Sequence, residues 1–195
     1  MKTALPAALA VLAGTALLAG TATAAPVTYK IDPAHTYPSF EADHMGLSTW
    51  RGKLDRSEGW VVLDKAAGRG SVEVSMALDS IDFGNAPLNA WARGKDFFDV
   101  ARYPRAVYKG QLAGFVDGAP TRVEGTLSLH GVTRPLALRI DHFKCIPHPL
   151  YKRDWCGADA LGSFDRHAFG LDAGKDYGFD MQVALRIQVE AVRDK

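Results

Sequence analysis

The chain has 195 residues, with 23 Lys and Arg against 22 Asp and Glu, so its net charge is close to zero. No block of like charge stands out, which leaves nucleic acid or an anionic membrane surface without an electrostatic case as partner. With 47% hydrophobic and 10% aromatic residues, a chain of this length can bury one sizeable core.

Met1-Lys2 is a small positive region, Leu5–Ala19 an apolar run, and Ala22-Thr23-Ala24 a small-x-small site. This reads as a secretory signal peptide over residues 1–24, cleaved after Ala24, with residues 25–195 as one mature domain. An uncleaved anchor is the alternative, but the run is short for a span of about 20 residues and is diluted by Gly and Thr. Losing Lys2 with the leader balances the remaining charges. No later apolar stretch could cross a bilayer, so the mature chain is expected to be periplasmic or secreted. Its partner is expected to be small and apolar rather than large and charged.

The mature chain opens on an extended segment in which Val27, Tyr29 and Ile31 share a face, closed by an Asp32-Pro33 turn. Extended structure resumes over His35–His44, with Phe40, Ala42 and His44 on one side. Gly46 and Ser48 mark a bend before Trp50-Arg51-Gly52. Trp60–Asp64 is a run of strand formers stopped at Gly68-Arg69-Gly70, which pairs it as a hairpin with Ser71–Ile81. In that partner Val72, Val74, Met76 and Leu78 alternate with smaller or polar residues, the period of a strand with one buried face. The pattern breaks at Gly84-Asn85, and Pro87–Gly94 reads as a short helical cap, before Phe97-Phe98 and Tyr103-Pro104.

Arg105–Phe115 is strand-like and carries Tyr108, and Asp117-Gly118-Ala119-Pro120 is a turn. Val123, Gly125, Leu127 and Leu129 alternate up to Gly131, and Leu136, Leu138 and Ile140 alternate after it, the clearest hairpin in the chain. A Cys145–Cys156 loop comes next, and then a mixed segment through Phe164. The final strand, Met181 to Ala191, reads as the longest. About eight strands with closely spaced turns make an all-β fold. An antiparallel eight-stranded barrel is favoured over a sandwich because closure removes exposed edges, and that width holds side chains or one small ligand.

Two cysteines in an exported chain favour a Cys145–Cys156 disulfide, worth about 3 kcal/mol for a loop of this order. Two free thiols are the alternative, and a metal pair lacks the CxxC spacing. No HxH, HExxH or GxSxG occurs, so neither a metal site nor a nucleophile is assigned. Asp96 and Asp99 read as turn caps. His35 and His44 lie where they could serve the barrel mouth, with a satisfied structural role as the alternative.

Tyr29-x-Ile31-Asp32-x-x-His35-Thr36, with Phe40, His44, Gly46, Ser48, Gly52 and Leu54 after it, resembles the opening of YceI-like proteins. So do Asp96-Phe97-Phe98-Asp99, Tyr103-Pro104 and the block from Gly125-Thr126-Leu127 through Gly131-Val132-Thr133-Arg134-Pro135. Arg166-x-x-Phe169-Gly170-Leu171 and Ile187-Gln188-Val189-Glu190 complete a resemblance that covers the mature chain. It implies an extended, lipocalin-like barrel that binds a polyisoprenoid or similar long lipid, a periplasmic or secreted location and no established catalysis. One departure is Trp91-Ala92, where many relatives carry His-Leu before the Asp-Phe-Phe block, which takes a polar group from the mouth.

Aromatic residues at bends can line an apolar slot or plug a packed barrel. Together with the resemblance they give a ligand-contact set of Phe40, His44, Leu47, Trp50, Met76, Leu78, Phe83, Trp91, Phe97, Phe98 and Tyr108. No cofactor is required; a bound polyisoprenoid, such as a quinone or prenyl phosphate, or another long acyl lipid is the expected partner. A homodimer is left open. The competing readings are a quinone-presenting redox partner or enzyme, with His35 or His44 as proton donor, and a packed structural barrel.

Overall fold

The structure, a computed structural model, describes residues 25–195; the leader read over residues 1–24 lies outside the described residues. In chain order the strands are β1 (Val27–Ile31), β2 (Tyr37–His44), β3 (Ser48–Leu54), β4 (Ser57–Asp64), β5 (Arg69–Ala77) and β6 (Ile81–Asp82). Helix α1 (Ala86–Arg93) separates these from β7 (Arg105–Ala113), β8 (Arg122–Leu129), β9 (Val132–Pro147), β10 (Asp154–Asp165) and β11 (Gln182–Arg193). The ring runs β1-β4-β5-β7-β8-β9-β10-β11 and closes where β11 pairs with β1. β2 takes over from β1 along β11, with β3 and β6 beside it. The architecture is thus an up-and-down barrel of eight antiparallel strands, three of them broken once, as the alternating pattern led us to expect.

Each break is satisfied locally. At the β1–β2 break the Thr36 hydroxyl donates to the Glu190 carbonyl at 3.2 Å and accepts from the Glu190 N–H at 3.1 Å, filling the rung that β11 would lose. At the other two breaks, Asp55 N–H donates to Ser80 O and Ala77 N–H to Arg56 O, so the breaks bond to each other. Ser71–Ile81 is therefore not one strand, as expected, but β5 and β6 around a 3-10 turn at Leu78–Ser80. The Ser80 hydroxyl donates to Ala77 O at 2.6 Å and sets that turn. Between β8 and β9, His130 (φ 51°) and Gly131 (φ 77°) both take left-handed backbone, the requirement of a tight hairpin turn.

The far wall differs from the sequence reading in two ways. The longest strand is β9, at 16 residues, not β11 at 12, and the mixed segment after the cysteines is the regular strand β10. In β9 the ladder with β10 shifts register between Ile140 and His142, leaving Asp141 as an extra residue. Leu136, Leu138 and Ile140 face inward before this bulge, and Phe143 and Cys145 after it, so the parity flips.

Two apolar clusters line the inside. The larger includes Met76, Leu78, Ile81, Phe98, Leu127, Leu136 and Phe169; the smaller, Tyr29, Ile31, Leu63, Cys156 and Ala191. One end of the barrel carries α1, the β2–β3 turn and residues 166–181. The opposite end carries the β4–β5 and β7–β8 connections and the β9–β10 tip. Cys145 and Cys156 face each other across β9 and β10 and are disulfide-bonded, so the bond clamps two paired strands at the base of the barrel rather than a free loop. Among the described residues no helix is long and apolar enough to cross a membrane.

Candidate functional site

The inward faces of the strands do not meet. They leave a cavity of about 300 Å³ running from the helix end toward the disulfide end, at the lower edge of the range for small-molecule sites. Along β5, Val72, Val74 and Met76 line it; along β8, Val123 and Leu127; along β11, Val183, Leu185, Ile187 and Val189. Midway along β10 the wall is lined by Ala158 and Ala160, whose small side chains leave space in the lumen.

Few polar groups reach the lumen. Thr36 is spent on Glu190. The Tyr108 hydroxyl donates to Leu136 O at 3.0 Å, passing over Gly125, where a Cβ would lie 2.5 Å from the phenol oxygen. Burial, with Glu124 adding to it, holds this phenol well above the ordinary tyrosine range, so it stays neutral. Arg166 is 7% exposed and donates from its two terminal nitrogens to the carbonyls of Leu171 and Ala173, each at 2.6 Å.

The mouth is at the helix end, because Trp50 and Trp91 are the two lining residues open to solvent, at 37% and 42% exposure. The sequence dictates the lid beside them. Asn85 caps α1 by accepting the Leu88 N–H at 3.0 Å, and Pro87 stands in the first turn, where its missing N–H costs nothing. The helix then presents Leu88 and Trp91 to the opening. Trp91 stacks on Phe97 at 5.0 Å, and Phe97 meets Phe98 at 4.7 Å, so three aromatic rings step from the rim into the core.

Of the contact set read from the sequence, Phe40, Trp50, Met76, Leu78, Phe83, Trp91, Phe97, Phe98 and Tyr108 line the cavity. Leu47 does not: it sits on the tip of the β2–β3 turn, 79% exposed, because the turn lifts it clear of the wall. His44 is beside the mouth but outside the lining, held between Trp50 at 4.1 Å and the edge of Phe179 at 5.0 Å. His35 is not at the mouth at all. It is exposed on the outer wall, paired with Asp32 at 2.8 Å. Trp60 is also exposed, on β4, and outside the lining. Phe164, Arg166, Leu171 and Phe179 line the cavity near the mouth and stand outside the set read from the sequence; the signal for two of them is present in the Arg166-x-x-Phe169-Gly170-Leu171 block.

Among the described residues no group of three or more His, Cys, Asp or Glu side chains is placed to hold a metal ion.

A family model described as the YceI-like domain matches residues 29–191. Protein YceI of Escherichia coli is 29% identical over 171 residues, covering 86% of this chain and 87% of the relative. Among solved structures, BcnA of Burkholderia cenocepacia superposes with a TM-score of 0.65 at 21% identity, covering 83% of this chain and 99% of that one. A polyisoprenoid binding domain from Saccharophagus degradans, implicated in plant cell wall breakdown, superposes at 0.62 with 16% identity, covering 86% and 99%. At these identities the two structures speak for the fold. The family match spans nearly all of the described barrel, and the chain belongs to the YceI-like family.

Proposed function

We propose that this protein is an exported carrier or store that holds a long apolar lipid, of the polyisoprenoid class, in the barrel lumen. The observation that carries this reading is a lumen lined by aliphatic and aromatic side chains, open between Trp50 and Trp91. Such a cavity excludes water and rewards an apolar guest. Each buried methylene contributes about 0.8 kcal/mol, so two or three prenyl units offset an association cost of several kcal/mol. The polyisoprenoid class is supported by the relative from Saccharophagus degradans, described as a polyisoprenoid binding domain. Export to the periplasm, with cleavage after Ala24 and residues 25–195 as the mature domain, is supported by the leader pattern and by the disulfide, a bond of oxidising compartments.

A binding role is favoured over an enzymatic one because the histidines considered as proton donors stand outside the lining: His35 on the outer wall, His44 sandwiched beside the mouth. The test is organic extraction of the purified mature protein and mass spectrometry of the extract. A near-stoichiometric prenyl or acyl species is expected. A clean extract from protein that also fails to retain added quinone and prenyl phosphate would instead indicate a structural barrel.

A further inference from the structure

Among the described residues, Arg166 is the one guanidinium in the wall of the cavity. It lies just after β10 at the start of a 3-10 turn, Arg166–Phe169, and is 7% exposed. Burying a cation costs several kcal/mol unless an opposite charge meets it, and here its hydrogen bonds go to two neutral carbonyls, of Leu171 and Ala173. The three carboxylates whose charges act on it, and Asp43 in the cavity wall, make their hydrogen bonds to other groups, Asp43 to the Gly46 N–H. Asp172 is bonded to the His167 ring, Asp165 accepts the His167 N–H, and Asp180 accepts the Gln182 N–H. Desolvation accordingly pulls the Arg166 guanidinium below its ordinary range, against the pull of those three acids. Its Cζ lies 5.9 Å from the Phe97 ring, and Phe97 stacks on Trp91 at the rim. Arg166 is thus a desolvated positive charge one ring's depth inside the mouth, at the head of an apolar tunnel.

We propose that Arg166 is a head-group subsite, receiving the phosphate or carboxylate of a lipid whose tail lies in the lumen. This rests on the lipid-carrier reading above. The two carbonyl contacts fix the plane of the guanidinium, which five N–H donors suit to a fork-like grip on an oxyanion. An anion placed there supplies the charged hydrogen-bond partner that the two carbonyls do not, in a largely buried site, and a charge-assisted bond is about twice as strong as a neutral one.

The experiment titrates the mature, lipid-stripped protein with geranylgeranyl phosphate, with geranylgeraniol and with inorganic phosphate, reading intrinsic tryptophan fluorescence, to which Trp50 and Trp91 at the mouth contribute. The phosphate ester should bind at least ~10-fold tighter than the alcohol, as one charge-assisted contact implies, and inorganic phosphate alone should neither bind nor compete. Arg166→Gln, which keeps an amide donor for the two carbonyls, should retain the alcohol's affinity and lose the preference, with folding checked by circular dichroism. Equal affinities in the wild type, or a preference that survives in folded Arg166→Gln, would overturn the subsite. Competition by inorganic phosphate would overturn its assignment to a lipid head group. Failure of both prenyl compounds to bind would strike the carrier reading instead. Should Arg166→Gln not fold, the wild-type ratio of ester to alcohol decides.

Discussion

The ring of Phe40 occupies the space that a side chain on Gly52 would take: a Cβ there would lie 2.5 Å from Phe40 Cζ and 3.0 Å from Phe83 Cδ1. The gap on β3 lets Phe40 and Phe83 meet edge-to-face at 5.5 Å on the cavity wall. Gly52→Ala should push the Phe40 ring and cost about 1–3 kcal/mol. Thermal melts should show the loss, and the extracted lipid should fall with it if the displaced ring narrows the lumen. An unchanged melting temperature would mean that the pair relaxes freely.

Trp91→Asp and Phe97→Asp place a carboxylate in the aromatic steps at the mouth. Trp91 is 42% exposed, so its replacement should lower lipid retention sharply with little change in stability. Phe97 is more deeply set, and its replacement should reduce both. Leu47→Asp, on the exposed turn tip, should leave retention unchanged. Retention measured by extraction from the three purified variants distinguishes rim from turn.

Cys156→Ser removes a bond that clamps β9 to β10 at the end opposite the mouth. Stability should fall by about 3 kcal/mol, seen as a lower melting temperature that matches the reduced wild type. Lipid retention at room temperature should persist, because no cysteine lines the cavity. Loss of retention in a folded variant would show that the base of the tunnel must stay clamped.

The Asp32–His35 pair ties stability to pH on the outer wall. The hydrogen bond that the His35 ring donates to Asp32 raises the His35 pKa above 6.5, so His35's contribution is whole below that value and fades as pH rises through the folded one. Burial pushes the Asp32 carboxyl up, but bonds from His35 and the Ala34 N–H outweigh it and leave the pKa below 3.8. Asp32's contribution is therefore present above 3.8 and lost as pH falls through the lower, folded value. His35→Ala should lower the melting temperature at about pH 5 and make less difference at about pH 8. Equal losses at both would assign His35 a packing role, against Trp155 at 6.2 Å.

The strands legible from sequence are those whose inward residues are large. Val72, Val74 and Met76 on β5 and Val183 through Ala191 on β11 carry a clean period of two, and they face the interior as that period requires. β10 carries no such signature because Cys156, Ala158, Ala160 and Gly162 on its inward face, ahead of Phe164, are too small to raise a hydrophobic signal. The end of β9 reads as loop because Asp141 reverses the parity of the residues after it. At the site, the aromatic lining could be read from bends, whereas the absence of Leu47 and His35 could not. Both depend on how far a turn carries a residue from the wall, a distance that alternation does not encode.

The pairing of β11 with both β1 and β2 has a consequence for how the chain is made. β11 follows the other barrel strands in chain order and is the one that joins β1 and β2, so a growing chain has two open edges until β11 has been made. Long-range pairing of that kind is slow to form, and open edges invite pairing with other chains. A truncation within β11 should therefore be felt first as poor yield and aggregation, before any question of ligand arises.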